Sequence, residues 1–262
     1  MTMDELCAAA REAGEMILAA GSDKQVRQKS SRHDLVTRYD ADVQRFLQAR
    51  LAALAPEAGF LGEESEQTAA SAAASCRFIV DPIDGTANFV KDLRRSCVSI
   101  GYEENGRIAM GAICNPYAGE LFCAARGQGA YLNGARIRVS PAPMEQALAY
   151  VGTSPYYPDC LDETFLLARR LAERCLDIRR SGSAALELCD LAAGRAEVYY
   201  EYRLSPWDYA AGSLILREAG GEITDLAGNP LPFDRKSSVA AGNPACRAAL
   251  VRLAAEVKGA HA

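Results

Sequence analysis

The segment Asp81-Pro82-Ile83-Asp84-Gly85-Thr86 constrains this chain more than any other. It follows Phe78-Ile79-Val80, and a short apolar run of this kind is typical of a buried strand. The proline predicts the end of that strand, and Gly85 lets the backbone approach another group closely. Two carboxylates at a strand end, beside free backbone N–H groups, suit a hard divalent cation that binds a phosphate. The simpler alternative is a turn with two solvated aspartates, because Asp-Pro and Asp-Gly are common in turns.

Length, charge and cysteine usage set the class of protein. The chain has 262 residues, of which 49% are hydrophobic and 24% charged, as in a globular protein with a large core. The net charge of −5 predicts no direct binding of nucleic acid. The acidic start is unlike a signal peptide, and no apolar stretch is long enough to span a membrane. The nine cysteines are scattered without a Cys-x-x-Cys pair, which predicts reduced thiols and a cytoplasmic location.

Hydrophobic periodicity predicts alternating strands and helices. Helices are expected over 4–20, 40–54, 162–175, 183–193 and 208–219, and from about Pro244 onwards. Asp40 and Ser183 are the expected N-caps of two of these helices. Strands are expected over 97–102, 108–114, 120–124, 147–151 and 198–202, with a hairpin at Asn133-Gly134 and an extended segment over 231–241. This order indicates layered sheets and helices, in the α/β (α+β) class.

Three further acidic positions stand out. Gly62-Glu63-Glu64-Ser65 follows an apolar pair, Asp40 begins the second predicted helix, and Trp207-Asp208 begins a helix of small residues. Each has a simple explanation alone, since a Glu pair in a loop is usually solvated and an Asp at a helix start is usually a cap. Together with Asp81 and Asp84 they form a set of acidic groups with a recognisable order.

That order resembles the inositol monophosphatase family of magnesium-dependent, lithium-sensitive phosphatases, from about residue 4 to 255. The matching blocks are Lys29-Ser30-Ser31 with Asp34-Leu35-Val36-Thr37 and Asp40, Gly62-Glu63-Glu64-Ser65, Asp81-Pro82-Ile83-Asp84-Gly85-Thr86-Ala87-Asn88-Phe89, and Trp207-Asp208-Tyr209-Ala210-Ala211-Gly212. The resemblance implies the layered α/β/α/β/α sandwich of the inositol monophosphatase and fructose bisphosphatase type. It also implies one domain over 1–262, with a metal-binding half to about residue 143 and an α/β half from 144.

The resemblance further implies two or three Mg²⁺ ions in the site. Glu63, Asp81 and the carbonyl oxygen of Ile83 hold the first ion in the family, and Asp81, Asp84 and Asp208 hold the second. Asp81 therefore bridges the two ions. Cations at such a site activate the attacking water and neutralise the leaving oxygen.

The same resemblance assigns catalytic and substrate-binding groups. Glu63 and Thr86 orient the attacking water, and Asp40 lies close to Thr86 and serves a third, weaker ion through water. The implied substrate-binding residues are Asp84, Gly85, Thr86, Gly182, Ser183, Ala184, Glu201 and Asp208. Glu201 is placed by its register before Asp208 and accepts a substrate hydroxyl, although a surface charge at a strand edge is the simpler alternative.

Some residues depart from the family or play no part in it. Many members have a His after Phe89, whereas this chain reads Val90-Lys91-Asp92-Leu93-Arg94-Arg95-Ser96. We expect the basic pair to lie in a solvated loop, with a second phosphate or a dimer partner as the alternatives. His33 and His261 are not expected to be catalytic, since they lie in the metal hairpin and in the C-terminal tail.

The expected function is Mg²⁺-dependent hydrolysis of a small polyol phosphate, myo-inositol 1-phosphate, by a cytoplasmic homodimer that binds no membrane. Fructose 1,6-bisphosphate and a 3′(2′),5′-nucleoside bisphosphate are alternative substrates, although Ala87-Asn88-Phe89 favours the inositol branch. A regulatory protein associated with the transcription machinery is the alternative of another class.

Overall fold

Helices and strands alternate through the computed structural model, which describes residues 1–21, 24–28, 35–65, 74–155 and 157–259. The helices are α1 Met3–Leu18, α2 Arg38–Leu54, α3 Thr86–Val90, α4 Leu161–Ala172, α5 Ala184–Ala192, α6 Pro206–Glu218 and α7 Pro244–Gly259. The strands are β1 Arg27–Gln28, β2 Leu35–Val36, β3 Gly59–Gly62, β4 Cys76–Asp84, β5 Cys97–Glu104, β6 Arg107–Asn115, β7 Glu120–Ala125, β8 Ala130–Leu132, β9 Ala135–Ile137, β10 Leu148–Val151, β11 Asp177–Arg179, β12 Val198–Leu204, β13 Glu222–Thr224 and β14 Ser237–Gly242. The predicted block 29–34 and both histidines lie outside the described residues.

Two large sheets organise these elements. The first has the order β3-β4-β5-β6-β7-β8-β9, and it is an antiparallel meander apart from the parallel β3–β4 pair. The predicted hairpin at Asn133-Gly134 joins β8 to β9 and is confirmed. The second sheet has the order β11-β10-β12-β14-β13, in which β10 runs parallel to both of its neighbours.

Hydrophobic cores separate the layers of the described structure. One core joins α1 and α2 to one face of the first sheet, through residues such as Leu6, Leu47 and Phe78. A second core places α5 and α6 between the two sheets, and a third joins the second sheet to α4 and α7. The order is α/β/α/β/α, as predicted. No helix among the described residues has the length and apolar character needed to cross a membrane.

Strand β4 continues through Pro82, so the prediction that the proline ends it is wrong. Asp81 pairs with Ser99 but Asp84 pairs with Cys97, which leaves one extra residue on β4 and makes a β-bulge. Proline is tolerated in a bulge because no ladder hydrogen bond needs its missing N–H. Side chains three residues apart normally point to opposite faces of a strand, and the extra residue lets Asp81 and Asp84 share one face.

Helix α6 lies unusually close to the first sheet. A Cβ on Gly111 of β6 would come within 2.9 Å of the carbonyl oxygen of Ala211, so only glycine allows this approach. The small residues Ala210 and Ala211 on the helix face the sheet in the same contact. Because Asp208 lies one turn before them, this contact sets how near its carboxylate lies to β4.

Candidate active site

A cleft of about 600 Å³ opens where the two sheets and the helices between them meet. Much of its lining comes from the end of β4 and from the starts of α3, α5 and α6, and Glu63 and Glu201 also line it. The predicted site residues that line it are Glu63, Asp81, Ile83, Asp84, Gly85, Thr86, Gly182, Ser183, Ala184, Glu201 and Asp208. Asp40 lies behind Thr86, outside the lining.

Three carboxylates form a tight group on one side of the cleft. One oxygen from each of Asp81, Asp84 and Asp208 lies within 4.8 Å of the others. Burial raises the pKa of Asp81 and of Asp208 well above the usual range, and neighbouring carboxylates raise both further. Such a group repels itself unless a cation is bound, and carboxylate oxygens are the ligands that hard divalent cations prefer. The donor set therefore fits a divalent metal.

Asp84 is held by residues from the start of α5. Its Oδ2 accepts hydrogen bonds from the Ser183 hydroxyl at 2.5 Å and from the Ala185 backbone N–H at 2.8 Å. Burial raises the pKa of Asp84 to about 6, and these two hydrogen bonds oppose that rise. Ser183 is also the N-cap of α5, as predicted, so the helix start and the acidic group share one side chain.

Asp40 and Asp208 occupy the same position in their helices. Each is the third residue, and its carboxylate accepts the backbone N–H of the N-cap, from Thr37 at 2.7 Å and from Ser205 at 2.6 Å. The prediction that Asp40 is an N-cap is wrong, because Thr37 holds that position and the helix begins two residues earlier than expected. An acidic third residue satisfies the N-cap amide and leaves its second oxygen for another partner.

Thr86 connects Asp40 to the acidic group. Its hydroxyl lies 3.2 Å from Asp40 Oδ1 and 3.1 Å from the carbonyl oxygen of Ile83, and it can donate to either. Both partners lie on the protein side, which leaves the Thr86 oxygen free to accept a hydrogen bond from the cleft. Glu63 also lines the cleft, and its negative charge contributes to the raised pKa of Asp81 and of Asp208.

Glu201 lines the cleft and lies on the central strand β12, so the alternative of a strand-edge surface charge is wrong. Its Oε1 accepts from the backbone N–H of Ser154 at 2.9 Å, and its Oε2 accepts from the Tyr199 hydroxyl at 2.8 Å. Burial raises the pKa of Glu201, while these hydrogen bonds lower it. Gly152 makes room for the carboxylate, because a Cβ there would lie 2.1 Å from Glu201 Oε2.

Sequence reasoning missed several residues of the cleft. Gly152, Asn88, Glu187 and Arg180 all line it, and each looks ordinary in the sequence because its role depends on distant partners. The expectation for the basic pair holds only for Arg94, whose side chain is 72% exposed. Arg95 is partly buried and forms a salt bridge of 2.5 Å with Asp190, which a solvated loop does not explain.

Known proteins are similar to this chain in sequence. The Inositol monophosphatase family profile matches residues 2–259. The Inositol-1-monophosphatase of Bacillus subtilis is 37% identical over 236 residues, which cover 89% of each chain. Nus factor SuhB of Vibrio cholerae is 38% identical over 240 residues, which cover 90% of this chain and 89% of that protein.

Solved structures agree with the sequence matches. The extragenic suppressor protein suhB of Bartonella henselae has a TM-score of 0.90 at 37% identity and covers 96% of this chain and 97% of its own. The Thermotoga maritima IMPase has a TM-score of 0.88 at 31% identity and covers 99% of this chain and 98% of its own. The fold, the site geometry and these matches lead to one conclusion: the chain belongs to the inositol monophosphatase family.

Proposed function

We propose that this protein hydrolyses a small polyol phosphate monoester, with myo-inositol 1-phosphate as its substrate and Mg²⁺ as its cofactor. The observation that carries the proposal is that three close carboxylates and the acceptor Glu201 line the same cleft. A relative named Inositol-1-monophosphatase, 37% identical to this chain, supports the same substrate.

In this proposal two Mg²⁺ ions are held by carboxylates of the cleft. Asp81, Asp84 and Asp208 would hold one ion, and Glu63, Asp81 and the Ile83 carbonyl oxygen would hold the other, while a third ion would bind near Glu63. Bound there, Mg²⁺ neutralises charge on the phosphate and lowers the pKa of water. The raised pKa of Asp81 and of Asp208 supports this role, because a buried acidic group is stabilised by a nearby cation.

The catalytic role proposed for Thr86, Glu63 and Asp40 is to orient the attacking water. The Thr86 hydrogen is directed towards Asp40 or the Ile83 carbonyl, so its oxygen accepts a hydrogen bond from water. Asp40 is 1% exposed and is itself held by Thr37, so it fixes the Thr86 rotamer rather than contacting solvent. Glu63 is the second acceptor for the same water.

Substrate recognition is assigned to two walls of the cleft. The backbone N–H groups of Gly85 and Thr86 bind the phosphate, in line with the preference of helix starts for anions. Glu201 accepts a ring hydroxyl, and the segment Gly182-Ser183-Ala184 forms the wall beside the ring. The carboxylates of Asp84 and Asp208 lie between these walls and contact the substrate as well as the metal.

Gly152→Ala tests the placement of Glu201. The new methyl group is expected to push the Glu201 carboxylate out of its place, since the two would lie 2.1 Å apart. KM for myo-inositol 1-phosphate should rise about tenfold, while hydrolysis of p-nitrophenyl phosphate should not change. Gly259→Ala is the control, because nothing lies within 4 Å of a Cβ at that position. Equal effects of the two substitutions would contradict the assignment.

The proposed function is tested by phosphate release from a panel of substrates. Purified protein is assayed with myo-inositol 1-phosphate, fructose 1,6-bisphosphate, a 3′,5′-nucleoside bisphosphate and p-nitrophenyl phosphate, with Mg²⁺ and after chelation. We expect the highest kcat/KM with myo-inositol 1-phosphate and no turnover after chelation. Absence of release from every substrate in the presence of Mg²⁺ would refute the proposal.

A bisphosphate substrate is the second candidate within the same chemistry. Arg180 and Lys236 line the cleft, and within the described residues neither forms a salt bridge with a carboxylate. Cations that line a cleft without forming a salt bridge suit a second phosphate group. A higher kcat/KM for fructose 1,6-bisphosphate or for the nucleoside bisphosphate in the panel would establish this alternative.

A regulatory role associated with the transcription machinery is a candidate of another class. Several relatives carry the name Nus factor SuhB, including those of Vibrio cholerae and Escherichia coli. Such a role requires binding of a protein partner and does not itself require turnover. Binding of a purified transcription factor that survives chelation, when turnover has been lost, would separate the two functions.

We also propose that residues 1–262 form one domain, with halves that divide near residue 143. We further propose that the protein is a homodimer and that it is cytoplasmic. The first sheet ends with Ala135–Ile137 and the second begins with Leu148–Val151, which supports that division. All nine cysteines, each within the described residues, are free thiols, which supports a reducing compartment. The net charge of −5 supports the absence of direct nucleic-acid binding.

A further inference from the structure

Glu187 is a buried carboxylate that lines the cleft. It belongs neither to the proposed metal site nor to the proposed substrate contacts. It lies on α5 and is 2% exposed. Its Oε1 accepts hydrogen bonds from the Ser181 backbone N–H at 2.8 Å, the Ser181 hydroxyl at 2.9 Å and the Gly182 N–H at 3.4 Å. Burying a carboxylate is unfavourable unless it is hydrogen-bonded, and here every donor comes from the segment just before its own helix.

The same segment is held from the opposite side by α3. The Asn88 side-chain amide donates to the Ser181 carbonyl oxygen at 2.8 Å and to the Arg95 carbonyl oxygen at 2.7 Å. The N–H, hydroxyl and carbonyl groups of Ser181 are therefore all hydrogen-bonded. Ser181–Gly182 is clamped between α3, which carries Thr86, and Glu187 of α5.

This clamp is next to a ligand of the proposed metal site. Ser183 follows Gly182 directly, and its hydroxyl donates to Asp84 Oδ2 at 2.5 Å. Side chains that orient a metal ligand affect metal affinity although they do not touch the metal. A shift of Ser181–Gly182 would move the Ser183 hydroxyl and change the orientation of Asp84.

We propose that Glu187 is a positioning residue that fixes the Ser181–Gly182 segment and, through Ser183, the orientation of Asp84. The inference rests on the metal site of the proposed function. The role needs an acceptor oxygen at the Oε1 position, and it does not need a negative charge. Glutamine can therefore replace Glu187, whereas alanine has no acceptor and aspartate is one methylene too short to reach Ser181.

The test is titration calorimetry with Mg²⁺ alone, followed by kcat and KM for myo-inositol 1-phosphate. Glu187→Ala and Glu187→Asp should each weaken Mg²⁺ binding about tenfold and lower kcat. Glu187→Gln should keep an affinity close to that of the wild-type protein. Glu187→Asp retains the charge and most of the side chain, so it answers the question even if the alanine variant does not fold.

Glu218→Ala is the matched control. Glu218 accepts the backbone N–H groups of Gly127 at 2.7 Å and Gly129 at 2.8 Å, so it also holds a loop, but it does not line the cleft. Its substitution should lower the melting temperature without changing Mg²⁺ affinity.

Two outcomes would overturn the inference alone. One is a Glu187→Asp variant with unchanged Mg²⁺ affinity, and the other is a Glu187→Gln variant as defective as the aspartate variant. Wild-type protein that binds no Mg²⁺ would overturn the inference and the proposed function together. Wild-type protein that binds Mg²⁺ but hydrolyses no substrate of the panel would overturn only the proposed function.

Discussion

Asp81→Asn is expected to lower phosphate release from myo-inositol 1-phosphate by at least about a thousandfold, since metal ions supply several kcal/mol of transition-state stabilisation. Asp81 lies within 4.8 Å of both Asp84 and Asp208 and is the residue proposed to bridge two ions. A neutral amide supplies neither the charge nor the second anionic oxygen for that bridge. The measurement is steady-state phosphate release over a range of Mg²⁺ concentrations.

The same substitution should stabilise the metal-free fold. Burial, and then the charges of Glu63, Asp84 and Asp208, raise the pKa of Asp81 well above its usual value. Above the ordinary aspartate pKa the unfolded chain has lost a proton that the folded protein still binds, so stability falls as the pH rises. Asparagine does not titrate, so Asp81→Asn removes this loss of stability at higher pH.

The melting temperature of the chelated Asp81→Asn variant should therefore exceed that of the chelated wild-type protein, by a margin that grows as the pH rises above the ordinary aspartate pKa. Asp42→Asn, on the exposed side of α2, is the control that should change neither the melting temperature nor the rate of phosphate release. Near-normal turnover by the folded Asp81→Asn variant would remove the basis of the proposed metal site.

Glu201→Ala should lower kcat/KM for myo-inositol 1-phosphate by about ten- to a hundredfold, because a hydrogen bond to a charged group contributes roughly 1.5–3 kcal/mol. The residue lines the cleft but lies outside the group of three close carboxylates, and it belongs to no proposed metal site. Turnover of p-nitrophenyl phosphate, which has no hydroxyl beside its phosphate, should scarcely change. The Mg²⁺ concentration for half-maximal rate should also stay the same.

Glu201→Gln is the companion variant. In the alanine variant the donors from Ser154 and Tyr199 lose their acceptor, which destabilises the protein for reasons unrelated to substrate. Glutamine keeps an acceptor for Ser154 and should show a smaller loss with the polyol phosphate. An equal loss with both substrates, or a shifted Mg²⁺ requirement, would instead assign Glu201 to the catalytic group.

Local patterns in the sequence predicted most elements, and the resemblance to the family pointed to the acidic residues of the cleft other than Glu187. Helix α1 and the meander from β5 to β7 could be recognised because apolar residues recur along α1 at helical spacing and form short runs in the strands. The ends of elements were predicted less accurately. The second helix begins at Arg38 rather than at Asp40, because the Thr37 side chain caps it. The Asp40 carboxylate, which the sequence pattern favoured as the cap, lies inside the helix.

The sequence by itself determined the order and spacing of the acidic residues that carry the family resemblance, since both can be read along the chain. Only the tertiary structure decided that Asp81 and Asp84 share a face, because the bulge in β4 arises from pairing with β5. It also decided that Ser183 holds Asp84, 99 residues away, and that Gly152 makes room for Glu201. Contacts of this kind depend on how the layers pack, and no local pattern encodes that packing.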